Sequence, residues 1–364
     1  MYGFYSPFKL NDLPDTSGMS KDSMIATKKQ INDLLKQAKT QAKQNTCYIC
    51  KKQYTSFCNS HTIPQFCLRN IAKDGKVFHM NTILELPLFK EDKGINESGT
   101  FHLICRDCDS KVFSDYENPD NYNNKLTTKM LAQMEIKNNL KNISKRLIEL
   151  HLYDLMLGIG VPDYLVEIKK QVSAMDLKEY NACFENGLKR NKKPFEGDYY
   201  VPIHIELPYT IPIAFQGAIA LLNDLEGNPI NEIHNLDPKY VIESIYLSVL
   251  PLKDKSVIIM FIKNGVKRYS RFFKQMNRLT EAEQLSVLNY IVFAYCEDYF
   301  ISPDISKDNL KKLIQVAGQT TDGLLTSDHQ PNLDEVFEKI SPIYNYDDRK
   351  NIPNLFLEEY KIIR

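Results

Sequence analysis

This chain of 364 residues has no tryptophan and only 14 glycines. Glycines this sparse form no phosphate-cradling loop of P-loop or dinucleotide spacing, which removes the common nucleotide-binding readings. No serine stands in a nucleophile elbow, so the commonest serine-hydrolase reading is absent as well. There is no net charge, since 46 basic side chains offset 46 acidic ones. A global electrostatic pull toward nucleic acid is therefore excluded, although a local one is not. No apolar run approaches the roughly 18 residues of a membrane span. No basic stretch followed by an apolar one opens the chain, so neither a membrane partner nor a signal peptide is expected. No internal repeat is found. The eight cysteines do not read as a disulfide framework and suit a reducing, cytoplasmic setting.

Charge is distributed unevenly. Residues 21–52 carry eight lysines against Asp22 and Asp33. Residues 125–146 carry Lys125, Lys129, Lys137, Lys141, Lys145 and Arg146 against Glu135 alone. Both stretches have helical periodicity, over about Ser20 to Asn45 and 124–151, and in the second Lys137, Lys141 and Lys145 recur at a spacing of four. Such lysines either form a solvated face or contact phosphates without reading bases. The phosphate-contact reading takes in Lys51, Lys52, Lys137, Lys141 and Lys145.

Between the two basic stretches stand Cys47-Tyr-Ile-Cys50 and Cys105-Arg-Asp-Cys108. The C-x2-C spacing lets two thiolates of one tight turn grip one tetrahedral ion, and two such turns complete a closed site for structural Zn2+. Cys58, Cys67, Cys183 and Cys296 have no such pairing and read as buried or incidental thiols. The segment Ser60-His61-Thr62-Ile63-Pro64 separates the two knuckles. An imidazole at the end of a rigid strand, with a neutral pKa of about 6.5, suits proton abstraction at neutral pH. It equally suits a structural hydrogen bond.

In the order of its knuckles and its His-x-Ile-Pro strand end, the region from Cys47 to just past Cys108 resembles the zinc-stapled HNH endonucleases. That resemblance implies a ββα (treble-clef-like) finger clamped by zinc, with His61 as general base. It also implies a catalytic Mg2+ or Mn2+ beside the scissile phosphate. Ser60 stands where the family has Asp, Glu or His, Asp109 where it has Asn, and Glu117 lies two turns on, near the place of the closing histidine. Asp109 and Glu117 are thus the expected carboxylate ligands, with Asp115 lying well round the helix from them. Asp109 alternatively serves as a carboxylate at a helix N-terminus.

After about residue 195 the pattern changes to strands: Val201, Ile203, Ile205 and Leu207 alternate, and two β-branched runs flank Pro251–Lys255 as a hairpin. Val257–Ile262 is apolar on both faces, which predicts a covered strand. Thr280 followed by Glu283 predicts a capping box at the start of a helix. The expected class is α+β: a zinc module within 1–122, a helical connector over 123–194, and an antiparallel-sheet domain over 195–364 that sets target, activation or a protein partner. The expected function is metal-dependent hydrolysis of nucleic-acid phosphodiester bonds, with DNA as the expected partner, in defence or restriction. The alternative is a zinc-finger protein that binds nucleic acid or protein without cutting.

Overall fold

A computed structural model of the chain describes residue 29 and residues 33–80, 90–157, 163–317 and 344–363, apart from positions 233, 234, 236, 238 and 297. It is a mixed α+β structure. The elements in chain order are β1 (Ser60–His61), α1 (Gln65–Ile71), β2 (Lys76–Met80), β3 (Lys90–Gly94), β4 (Thr100–Phe101) and α2 (Arg106–Val112). Two long helices follow, α3 (Thr128–Met156) and α4 (Asp163–Lys192). Then come β5 (Tyr199–Leu207), β6 (Ile213–Ile219), β7 (Ile245–Pro251), β8 (Ser256–Lys263), α5 (Ser270–Met276), α6 (Glu281–Tyr295), β9 (Tyr299–Ile301) and α7 (Lys307–Ala317). Residues 33–41 are helical, within the first predicted basic helix. The sequence also predicts Ser20 as the N-cap of that helix, a break at 158–162 and a tail helix near 332–340, and all three lie outside the described residues. It predicts a further helix near 354–362, where the structure has a 3-10 turn, Glu358–Tyr360.

Seven strands form one antiparallel sheet in the order β3-β2-β9-β6-β7-β8-β5. Its central strands β6, β7 and β8 are buried on both faces because both faces are covered, whereas the edge strand β5 alternates buried and exposed residues. Ile258, Met260 and Ile262 of β8 pack with Phe272, Met276, Leu288 and Ile291 of α5 and α6. Val257, Ile259 and Phe261 of the same strand pack with Met134, Ile136 and Leu140 of α3. The predicted hairpin joins β7 to β8, and Thr280 and Glu283 form the expected reciprocal capping box at the start of α6. β2 and β3 come from between the two cysteine knuckles yet extend this sheet through β9. The sheet is therefore not confined to residues 195–364, and the cysteine module and the sheet share a core.

α3 is the central element. It reads in sequence as an amphipathic helix with a solvated lysine face, but it is buried along most of its length, charged positions included. No helix among the described residues is long and apolar enough to cross a membrane.

Candidate metal centre and the adjoining lysine-carboxylate cluster

The first knuckle is a tight turn. Lys51 N–H donates to the Cys47 carbonyl at 2.9 Å, and Cys47 N–H donates to the Lys52 carbonyl at 2.9 Å. Closing it forces Lys51 into the left-handed region, with φ 59°, a conformation that costs a non-glycine residue about 1 kcal/mol. Tyr48 N–H donates to the Leu103 carbonyl at 3.0 Å, which ties this turn to the approach of the second. There Cys105 is the N-cap of α2, so the helix dipole favours thiolate at that end.

The four sulfurs of Cys47, Cys50, Cys105 and Cys108 all lie within 4.8 Å of one another. Zn–S bonds near 2.3 Å put tetrahedral sulfurs about 3.8 Å apart, and Cys50 Sγ and Cys105 Sγ are 3.9 Å apart. Cys105 N–H also donates to Cys47 Sγ at 3.4 Å, a bond suited to thiolate. The Lys52 backbone N–H draws the Cys50 thiol down to about 7. Burial pushes the Cys47 and Cys108 thiols up. A divalent soft-ligand ion is what would stabilise all four as thiolates together. The donor set, its spacing and its closure fit a structural metal ion such as zinc.

Beside the clasp, β1 and β4 pair antiparallel with Ser60 opposite Phe101 and His61 opposite Thr100, and α2 packs behind them. Thr62 N–H donates to the Gly99 carbonyl at 2.8 Å. Gly99 has φ +60°, and a Cβ there would lie 2.2 Å from the Phe300 ring. Only glycine fits this turn. The turn also carries Ile95, whose carbonyl is 2.9 Å from His61 Nε2. A carbonyl only accepts, so Nε2 bears the proton and Nδ1 keeps the lone pair. Burial holds the His61 pKa below the usual histidine value, with Lys137 adding to the effect and the Ile95 carbonyl opposing it. The ring is neutral near pH 7.

The expected carboxylates are drawn together, but by a lysine. Lys137 Nζ lies 2.9 Å from Asp109 Oδ1 and 3.0 Å from Glu117 Oε1. It also donates to Ser60 Oγ at 2.9 Å, while Ser60 Oγ donates to Asp109 Oδ1 at 2.6 Å. An ammonium has three protons, and here three oxygens receive them. Its side chain is 0% exposed, and the fourth side is the face of Phe113, whose centroid is 3.8 Å away. Burial pushes the Glu117 carboxyl up, and Lys137 opposes that shift.

Asp109 and Glu117, the expected ligands of Mg2+ or Mn2+, present their oxygens to an internal ammonium, and as placed here they do not fit a catalytic ion. Lys137 does not face a phosphate backbone, because it is enclosed. Lys141 is also mostly buried: it pairs with Asp298 Oδ2 at 3.3 Å and donates to the Gln216 carbonyl at 3.2 Å. Against the effect of burial, Lys141 and His79 hold Asp298 well below the usual carboxylate range. Lys145 lines the same small cavity as Lys141, Asn142, Arg146 and Asp298. Lys51 and Lys52 are exposed as expected, Lys51 pairing with Glu185 at 3.3 Å.

The chain matches no family model, no curated protein and no solved structure. The readings that follow therefore rest on this geometry and on the sequence motif alone.

Sequence reasoning did not find three participants: Lys137 as an internal cation, Ser60 as its acceptor, and the Ile95 carbonyl as the group that fixes the His61 tautomer. For Lys137 the only signal was its place in a helical lysine row, which reads the same whether the row faces water or carboxylates. Asp115 is held by Lys129 at 3.0 Å and by Gln133 at 2.6 Å, apart from the cluster. Two further histidines between the knuckles, which have no paired spacing in the sequence, also lie apart from it: His102 meets Asn59 Oδ1 at 2.8 Å, and His79 is buried, stacked on Phe300.

Proposed function

We propose that this chain is a zinc-stapled, HNH-like nucleic-acid-binding protein that grips the phosphate backbone through the outer face of its cysteine clasp and does not cut it. The observation that carries this reading is the charge exposed along the clasp and the helical stretch that leads into it. Lys36, Lys39, Lys43, Lys51, Lys52, Arg106 and Lys111 are all exposed, and Asp107 is the one exposed acid in the stretches 36–52 and 105–112. A local excess of six exposed cations on a neutral chain is an electrostatic footprint for a polyanion. The buried lysines of α3 add nothing to it, which leaves the first basic stretch, the knuckle that follows it and α2 to carry the footprint. Contacts of this kind reach phosphates and not base edges, so the binding is indifferent to sequence.

Fluorescence anisotropy with a labelled DNA duplex and a labelled RNA strand over a salt series tests the proposal. The expected result is binding that weakens steeply with salt. Lys51→Glu/Lys52→Glu should lower the magnitude of the log–log salt slope by about 2. No binding to either polymer at low salt, or a slope unchanged by charge reversal, would remove the nucleic-acid reading.

The second reading is the metal-dependent endonuclease. It is favoured by His61, which has the tautomer and the neutral charge of a general base. Phosphodiester cleavage that requires Mg2+ or Mn2+ and disappears in His61→Ala would establish it over the first.

A further inference from the structure

The resemblance at the cysteine clasp implies a second, hard cation next to His61, and the residues present disagree. We infer that Lys137 is the resident cation of this position, so that the protein holds zinc at its clasp and takes no divalent ion between Asp109 and Glu117 while Lys137 is in place.

Four observations converge on this. The three oxygens that would form a hard-ion site, Ser60 Oγ, Asp109 Oδ1 and Glu117 Oε1, each lie 2.9–3.0 Å from Lys137 Nζ. The ammonium has no remaining proton and no exposed surface, so it is neither hydrated nor shared with solvent. Phe113 and Phe101 turn their rings toward it, with centroids at 3.8 and 5.9 Å, a wall that favours a cation and supplies no lone pair to a metal. Finally, Ser60 donates its own proton to Asp109 while accepting from Lys137, which leaves the hydroxyl without a free orientation.

The charge arithmetic explains why one cation excludes the other. One ammonium and two carboxylates sum to −1, and a divalent ion in addition would bring a second and third positive charge within about 3 Å of the first. At that separation in a site partly shielded from water, each such like-charge pair is strongly repulsive. The lysine would have to leave, and it arises from the middle of α3, where Met134, Ile136 and Leu140 are packed against the sheet. The ammonium also joins α2 to α3, so the same residue fastens the zinc module to the rest of the protein.

The test is Mn2+ binding to full-length, zinc-loaded protein, read by electron paramagnetic resonance of free Mn2+; nucleic acid is absent, so its outcome is separate from that of the binding proposal. Wild type is expected to show only weak surface binding. Lys137→Ala, and Lys137→Gln as a better-packed second variant, should bind one Mn2+ at least tenfold more tightly, and adding Asp109→Asn should return them to the wild-type level. Tight Mn2+ binding by wild type that is lost in Asp109→Asn would overturn the inference, because it would mean that the ammonium yields to the ion. A folded, zinc-containing Lys137→Gln or Lys137→Ala that gains no Mn2+ affinity would overturn it too. Wild type alone keeps the first of these outcomes measurable if neither variant folds.

Discussion

Replacing Lys137 with methionine tests whether the cluster is an electrostatic unit. Methionine keeps most of the side-chain volume and can still lie against Phe113 and Phe101, so the packing loss is small. What disappears is the charge. Each contact at 2.9–3.0 Å corresponds to about 5 kcal/mol of Coulomb attraction at an effective dielectric near 20, most of it offset by the desolvation of the same groups. The net change is governed by what remains: two carboxylates facing each other in a half-buried site with no counterion. Breaking a buried pair in this way costs about 3–5 kcal/mol, a large share of the 5–15 kcal/mol typical of a folded domain. With no tryptophan in the chain, unfolding in urea is best followed by far-ultraviolet circular dichroism and tyrosine fluorescence. Lys137→Met should lose about 3–5 kcal/mol at pH 7 with zinc content unchanged. The deficit should shrink as pH falls toward 4, because carboxyls left without a cation have folded pKa values above their unfolded ones and fold more favourably when protonated. Neutralising both partners in the same background, with Asp109→Asn and Glu117→Gln, should recover most of the loss. A Lys137→Met protein within about 1 kcal/mol of wild type, or a triple variant no better than the single, would refute the reasoning.

Other perturbations follow from the same geometry. Gly99→Ala should destabilise by about 2–4 kcal/mol, from left-handed strain and overpacking against Phe300, and this is measurable as a shift in the urea midpoint. The depressed His61 pKa means that the unfolded chain takes up a proton before the folded one does; stability should therefore fall as pH drops below about 6.5. His61→Gln should flatten that limb in a comparison of stability curves between pH 5 and 8. One zinc per chain is expected by elemental analysis, and Cys108→Ser should abolish it and unfold the clasp, with the loss of the salt-dependent binding. Zinc retained in full by Cys108→Ser would show that Cys108 is not a ligand.

Where the physics is local, it was legible in the residues. The C-x2-C spacing places two sulfurs on each turn, and four sulfurs do converge. Thr280 and Glu283 are three residues apart and satisfy each other's backbone groups whatever surrounds them. The doubly apolar Val257–Ile262 has to be covered on both sides, and it is. Where the partner is distant in sequence, the reading failed. Lys137 finds Ser60 from 77 residues away, and Arg146 meets Asp176 at 2.8 Å across to α4. Glu135, the lone acid of its stretch, accepts from Arg190 at 3.0 Å and from Tyr246 at 3.2 Å and is bonded by Tyr199. A helix that carries charges at a spacing of four has the same periodicity whether its neighbours are water or counterions. For the same reason nothing local assigns β2 and β3 to a sheet whose other strands lie more than a hundred residues on.

The central claim is that the clasp binds a polyanion beside a site already filled by the protein's own cation. Supercoiled plasmid incubated with the zinc-loaded protein, in Mg2+, Mn2+ or EDTA, tests it when each sample is run on an agarose gel before and after removal of the protein. The account predicts a retarded band that returns, after protein removal, to intact supercoiled DNA in all three conditions. Nicked or linear product that requires Mg2+ or Mn2+ and is absent with His61→Ala would contradict it.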